Sequence, residues 1–123
     1  MSGNNFLLDT NIVLLILNGD KTIAHFLNRS NIFISFITEI ELLSFHGFST
    51  QELLKVKNFL NQLHVIDLTA EIKQTAIELR RKHRLKIPDA LISGTAISQN
   101  IPLVSADKDF KKIDALELVF YNF

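Results

Sequence analysis

The feature that most constrains this chain is an alternation. Short leucine-rich and β-branched runs trade places with segments whose apolar residues recur at helical spacing. Phe6-Leu7-Leu8, Ile32 to Phe36, His64 to Leu68, Pro102 to Ala106 and Leu116 to Tyr121 read as strands. Between them, Ile12 to Leu17 reads as a helix that Gly19 ends, and another helix opens near Thr38. Gln51 to Leu63 puts Leu53, Val56, Leu60 and Leu63 on one helical face, and Ile72, Ala76 and Leu79 repeat that spacing ahead of a basic stretch. Pro88, in a first turn, starts a helix that runs through Ser98. Such alternation predicts a three-layer α/β/α fold, with a central, mostly parallel sheet of about five strands covered by helices on both faces. In sheets of this kind ligands bind beyond the carboxyl ends of the strands, where loops lead into helices.

The 123 residues contain no repeat, low-complexity tract or linker, and one domain spanning residues 1–123 is expected. A chain of this length buries roughly two-thirds of the surface its unfolded form exposes, so it needs no disulfide or structural metal. It has no Cys, which removes disulfides, thiolate zinc sites and Cys nucleophiles from consideration. The longest apolar run, Ile12 to Leu17, is far short of the roughly 20 residues that cross a bilayer. No basic region followed by an apolar stretch marks a secretory signal, so the cytoplasm is the expected setting, with no membrane partner. Thirteen Lys plus Arg balance 13 Asp plus Glu, so any contact with nucleic acid must be local rather than driven by net charge.

Acids stand just after a strand or at a helix start in four places: Asp9, Glu41, Asp89, and the pair Asp107 and Asp109. Each has a purely structural role open to it. Asp9 can satisfy backbone donors in its turn, with Asn11 as a cap for the next helix. Glu41 completes Thr38-Glu39-Ile40-Glu41, the pattern of a capping box. Asp89 suits the positive end of a helix dipole, and Asp107 can cap a short helix from Lys108 that Phe110 anchors. Such roles do not explain why all four should fall on one edge of one sheet. Carboxylates brought within about 5 Å repel by roughly 3 kcal/mol per ionised pair at an effective dielectric near 20, so something cationic must offset them. Oxygen ligands with no His or Cys beside them match Mg²⁺ or Mn²⁺. The chemistry that follows is phosphodiester hydrolysis by a metal-activated water.

Taken in order, the stretches LLDTNIVL, ITEIELL, KIPDALISGTA and LVSADKDF resemble the PIN-domain ribonucleases, most closely the VapC-type toxins of toxin–antitoxin pairs. The resemblance runs from about Phe6 to the C-terminus. It implies that Asp9, Glu41, Asp89 and Asp107 form the catalytic and metal-holding acidic quartet, with Thr10, Asn11 and Ser105 orienting ligands or water. Ser105 stands where the family more often has Thr, and it keeps the hydroxyl. Asp109 remains an alternative fourth acid. Glu39 lies about 200° around a helix from Glu41, so only one of the two can face the site. The resemblance further implies Mg²⁺- or Mn²⁺-dependent endonucleolytic cleavage of RNA, a small homodimer, and inhibition by a cognate antitoxin protein.

Arg80, Arg81, Lys82, Arg84 and Lys86 precede Asp89, enough cations to contact several phosphates of an RNA substrate, or else a solvated helix end. His25, His46, His64 and His83 have no metal-ligand spacing, and the ten Phe residues read as core. Phe120, Tyr121 and Phe123 suit either the sheet edge or a partner subunit. An aspartyl-phosphate phosphatase would want an Asp where Asn11 stands, and a phospho-receiver domain would want an acid adjacent to Asp9. The alternative to an enzyme is a PIN-like module that binds RNA or protein without cutting.

Overall fold

Leu7 and Leu8 point to opposite sides of one strand and are both fully buried, so that strand must carry helices on each face. The computed structural model, which describes residues 4–122, has that arrangement. The strand is β1, Asn5–Leu8. It is followed by α1 (Thr10–Leu17), α2 (Lys21–Phe26), β2 (Asn31–Ser35), α3 (Phe36–Ser44), α4 (Thr50–Leu60) and β3 (His64–Ile66). Then come α5 (Ala70–Lys82), α6 (Ile87–Gln99), β4 (Leu103–Ser105), a 3-10 turn (Lys108–Lys112) and β5 (Leu118–Phe120).

The strands lie in the order β3-β2-β1-β4-β5 and all pair in parallel. Leu8 pairs with Ile34 on one side and Val104 on the other, which makes β1 the central strand. Leu7 and Leu103 face a core built with Ala76, Leu79, Ala90, Ile92, Ala96 and Phe110, beneath α5 and α6. Phe6, Leu8, Ile34 and Val104 face the other core, with Ile12, Val13, Ile23, Leu42, Val56 and Leu60 from α1 to α4. Each fully buried side chain of this size contributes about 1.5–3 kcal/mol. A one-residue slip of β1 would exchange its two faces, so the register is held from both sides.

The three-layer, parallel, five-stranded expectation is met, and the differences are at element ends. Three strands are shorter than their apolar runs: the expected His64 to Leu68 pairs only as far as Ile66, while Pro102 and Tyr121, just outside β4 and β5, still hydrogen-bond to the neighbouring strand through the Leu7 amide and the Ser105 carbonyl. Phe36, read as strand, opens α3, because Ser35 ends β2 and its hydroxyl accepts the Ile37 amide at 3.2 Å. Thr38 is therefore inside α3 rather than its cap, and no capping box joins it to Glu41. The capping box is one helix later, where Ser49 and Glu52 reciprocate at the start of α4. Asp9, not Asn11, caps α1. Helix α2 was unforeseen. Gly19 ends α1 as expected, in the left-handed region at φ 91°. Not every Phe is core, since Phe26 and Phe45 are exposed. Phe120 lies under the Lys111 ammonium, 3.9 Å from its ring centre, and the Tyr121 hydroxyl donates to Asp20. Phe123 lies outside the described residues.

Helices α5 and α6 pack backbone to backbone. A Cβ on Gly94 would stand 3.3 Å from both the Ala76 nitrogen and the Ile72 carbonyl oxygen, closer than a side chain there could sit without the neighbour giving way. This crossing fixes α6, and with it the position of Asp89 in its first turn.

Candidate metal centre

From β1 the chain leaves toward β2 and β3 on one side, while β4 and β5 lie on the other. The connections thus diverge between β1 and β4, the place where parallel α/β sheets open a crevice. Asp9 follows β1 and Ser105 ends β4, so both stand at that point. A cleft of about 160 Å³ opens there, lined by Asp9, Thr10, Asn11, Glu41, Asp89 and Asp107, with Pro88, Ile92 and Phe110 as its apolar wall. All four expected acids are brought together from β1, α3, α6 and the segment after β4. Glu39 and Asp109 do not line the cleft, although Asp109 is near enough to bear on the charge of Asp89.

Asp9 is buried, and its carboxylate is held on both oxygens. The Ile12 amide donates to Oδ1 at 3.0 Å, and the buried Ser105 hydroxyl donates to Oδ2. Ser105 Oγ in turn accepts the Asp107 amide at 3.0 Å, so one hydroxyl links the ends of β1 and β4. Asp107 also accepts the Asp109 amide at 2.9 Å, which is the cap role anticipated for it. Glu41 is exposed, and the Thr10 hydroxyl donates to its Oε1 at 2.6 Å. Thr10 Oγ1 also lies 3.0 Å from the hydroxyl of Thr38, which is fully buried in α3. Asp89 follows Pro88 in the first turn of α6, whose start has no side-chain cap. Thr38 and Asn11 are the residues at this site for which the sequence suggested a cap role that the structure gives to Ser35 and Asp9.

Burial raises the Asp9 carboxyl above its usual range, the Ser105 and Ile12 hydrogen bonds pull it down, and Asp107 and Asp89 push it up again. Burial also raises Asp89, helped by Asp107, Asp109 and Glu41 and opposed by Lys86. The acids therefore feel one another's charge, as groups in a shared site do. The donor set is all oxygen, from carboxylates and hydroxyls, and this chemistry fits a hard divalent cation such as Mg²⁺ or Mn²⁺. Among the described residues no three such acids are arranged as a ready-made cage. Glu41 and Asp107 are instead turned to the Thr10 hydroxyl and the Asp109 amide.

Of the basic stretch, Arg81, Lys82 and Arg84 are exposed, and Lys86 acts on Asp89. Arg80 is exposed as well, and its Nε donates to the Leu85 carbonyl at 3.0 Å, closing the turn between α5 and α6.

A doubly wound parallel sheet with an acidic switch-point cleft is the class this molecule falls in. The chain belongs to the PIN-domain family, whose profile matches residues 6–116. Solved structures agree. A chain of VapBC2 from Rickettsia felis, bound to a DNA fragment from its promoter, superposes with a TM-score of 0.85 at 28% identity, over 96% of this chain and 99% of that one. A toxin–antitoxin complex from Klebsiella pneumoniae gives 0.82 at 26%, over 95% and 98%. DNA-bound VapBC from Salmonella typhimurium gives 0.83 over 96% and 98%, at 23% identity, a likeness of fold. No curated protein matches the chain at a significant level. The expected likeness to VapC-type PIN domains is thus borne out. Among the described residues no helix is long and apolar enough to cross a membrane.

Proposed function

We propose that this chain, as one PIN domain over residues 1–123, is a metal-dependent endoribonuclease and the toxin of a toxin–antitoxin pair. The observation that carries this reading is the gathering of Asp9, Glu41, Asp89 and Asp107 around one cleft at the switch point of the sheet. Those four carboxylates would hold Mg²⁺ or Mn²⁺, which when bound supplies Lewis acidity toward water and toward the charge that develops on phosphorus.

The chain's own groups prepare the site. Ser105 and the Ile12 amide fix the Asp9 carboxylate, Thr10 orients Glu41, and the first turn of α6 presents Asp89. Asn11 stands at the cleft rim for a ligand or water. Arg80, Arg81, Lys82, Arg84 and Lys86 offer phosphate contacts beside the acids, and the Nε of Arg80 also holds the turn that presents them. Water adds to phosphorus, the bond to the 3′ oxygen breaks, and that oxygen takes the proton. The reading includes a homodimer in the cytoplasm and an antitoxin protein that covers the cleft; an antitoxin partner is supported by the Klebsiella relative, a toxin–antitoxin complex.

Cleavage of a total-RNA mixture with Mn²⁺, with chelator, and by Asp9→Asn tests it. Fragments with 5′-phosphate and 3′-hydroxyl ends are expected, made only by the wild type with metal. Cyclic-phosphate ends, or cutting that survives chelator or Asp9→Asn, would overturn the mechanism. RNA binding with no cutting under any of these conditions would leave a binding module.

A further inference from the structure

We infer that Thr38 is a positioning residue for Glu41, acting through the Thr10 hydroxyl. The inference rests on the reading of Glu41 as a ligand of the cation and extends it to a residue that does not line the cleft.

A hydroxyl has one proton to give and two lone pairs to offer. Thr10 Oγ1 has two oxygen neighbours, Glu41 Oε1 at 2.6 Å and Thr38 Oγ1 at 3.0 Å. An ionised carboxylate only accepts, so the short contact to Glu41 uses the single Thr10 proton. The contact to Thr38 must then run the other way, with Thr38 donating into a lone pair of Thr10. Thr38 is fully buried and one helical turn before Glu41 on α3, so a missing partner for its hydroxyl would be costly. Among the described residues no buried side-chain polar atom is left without a partner. The result is a directed chain, Thr38 to Thr10 to Glu41. It leaves Thr10 no rotamer choice: its proton is aimed at the carboxylate because its lone pair is claimed from behind. Glu41 itself is exposed, and a free glutamate has three rotatable bonds, so without this chain it would sample many orientations away from the cleft. Helix α3 thus carries both the ligand and, one turn earlier, the group that aims it.

The test is calorimetric titration of Mn²⁺ into the whole protein, with the melting temperature of each ion-free variant measured alongside. Glu41→Gln should weaken binding, which checks the underlying reading. Thr38→Val keeps the volume and removes the donor. It should weaken Mn²⁺ binding about five-fold, the equivalent of one ordinary hydrogen bond, without lowering the ion-free melting temperature. Thr38→Ser should restore wild-type affinity. If Thr38→Val fails to fold, Thr38→Ala carries the same expectation for affinity, again with rescue by Ser. Wild-type affinity in Thr38→Val or Thr38→Ala, beside a weakened Glu41→Gln, would overturn the relay and leave the metal reading standing. A lower melting temperature with unchanged affinity would make Thr38 a structural residue only. Unchanged binding in Glu41→Gln would sink the metal reading at Glu41 itself.

Discussion

Two turns of this molecule begin a helix in the same way. At Asp9 and at Asp20 the carboxylate accepts the amide three residues on, Ile12 or Ile23, at 3.0 Å in each case. Each also accepts a hydroxyl from far along the chain, Ser105 for Asp9 and Tyr121 for Asp20. As caps they are equivalent. What differs is the surroundings: Asp9 is buried in a cleft with Glu41, Asp89 and Asp107, whereas Asp20 stands at the outer edge of the sheet beside β5. The pair shows that capping geometry says nothing about function. A carboxylate becomes a candidate for chemistry when the fold sets other carboxylates beside it at a price that capping does not require.

The comparison breaks most visibly in activity. Asp9→Asn should reduce RNA cleavage by at least about a hundredfold, the scale on which a positioned catalytic group is lost. Asp20→Asn should cleave within about twofold of wild type in the same assay, because an amide caps as well as a carboxylate. Equal losses in the two variants would mean that Asp9 matters only for the turn.

Stability in the absence of metal should separate them in the opposite sense. Asp9→Asn keeps the cap and removes a charge from the cluster, so the protein should gain about 0.5–2 kcal/mol in urea denaturation. Asp20→Ala loses a cap and should cost about 1 kcal/mol. A loss of stability in both Asp9→Asn and Asp89→Asn would show that the carboxylates do not strain one another.

The smallest effect is the pH dependence of the metal-free protein. Asp9 and Asp89 are raised by burial above the ordinary value of 3.8. The folded state therefore binds these protons more tightly than the unfolded one. That contribution to stability is complete below the ordinary value and is lost as pH rises through the raised values. Denaturation midpoints across this range should fall more steeply in wild type than in Asp9→Asn. Identical slopes would remove burial and mutual repulsion as features of the site.

Much of this was legible in the sequence because burial leaves a mark on composition. Phe6-Leu7-Leu8 announces a strand covered on both sides, and the acids after β1 and β4 fall where parallel topology opens a cleft. Three points were not legible. Helix α2 buries little besides Ile23, too short a segment to show a period. Ser35 and Thr38 are both plausible caps in an apolar run, and only the length of β2 in the ladder decides that Ser35 takes the role. The links from Ser105 to Asp9 and from Thr10 to Thr38 join segments whose separation in sequence carries no local pattern, so tertiary structure alone reveals which hydroxyl meets which acid.

The bond from Ser105 to Asp9 spans 96 positions. Contacts of such range close late in folding, because their loop entropy is met before any reward. During synthesis, moreover, the first acid leaves the ribosome long before β4 exists to pair with β1. The cleft can therefore take shape only once the chain is out through Asp107, so a shorter growing chain carries the earlier acids without the arrangement that joins them.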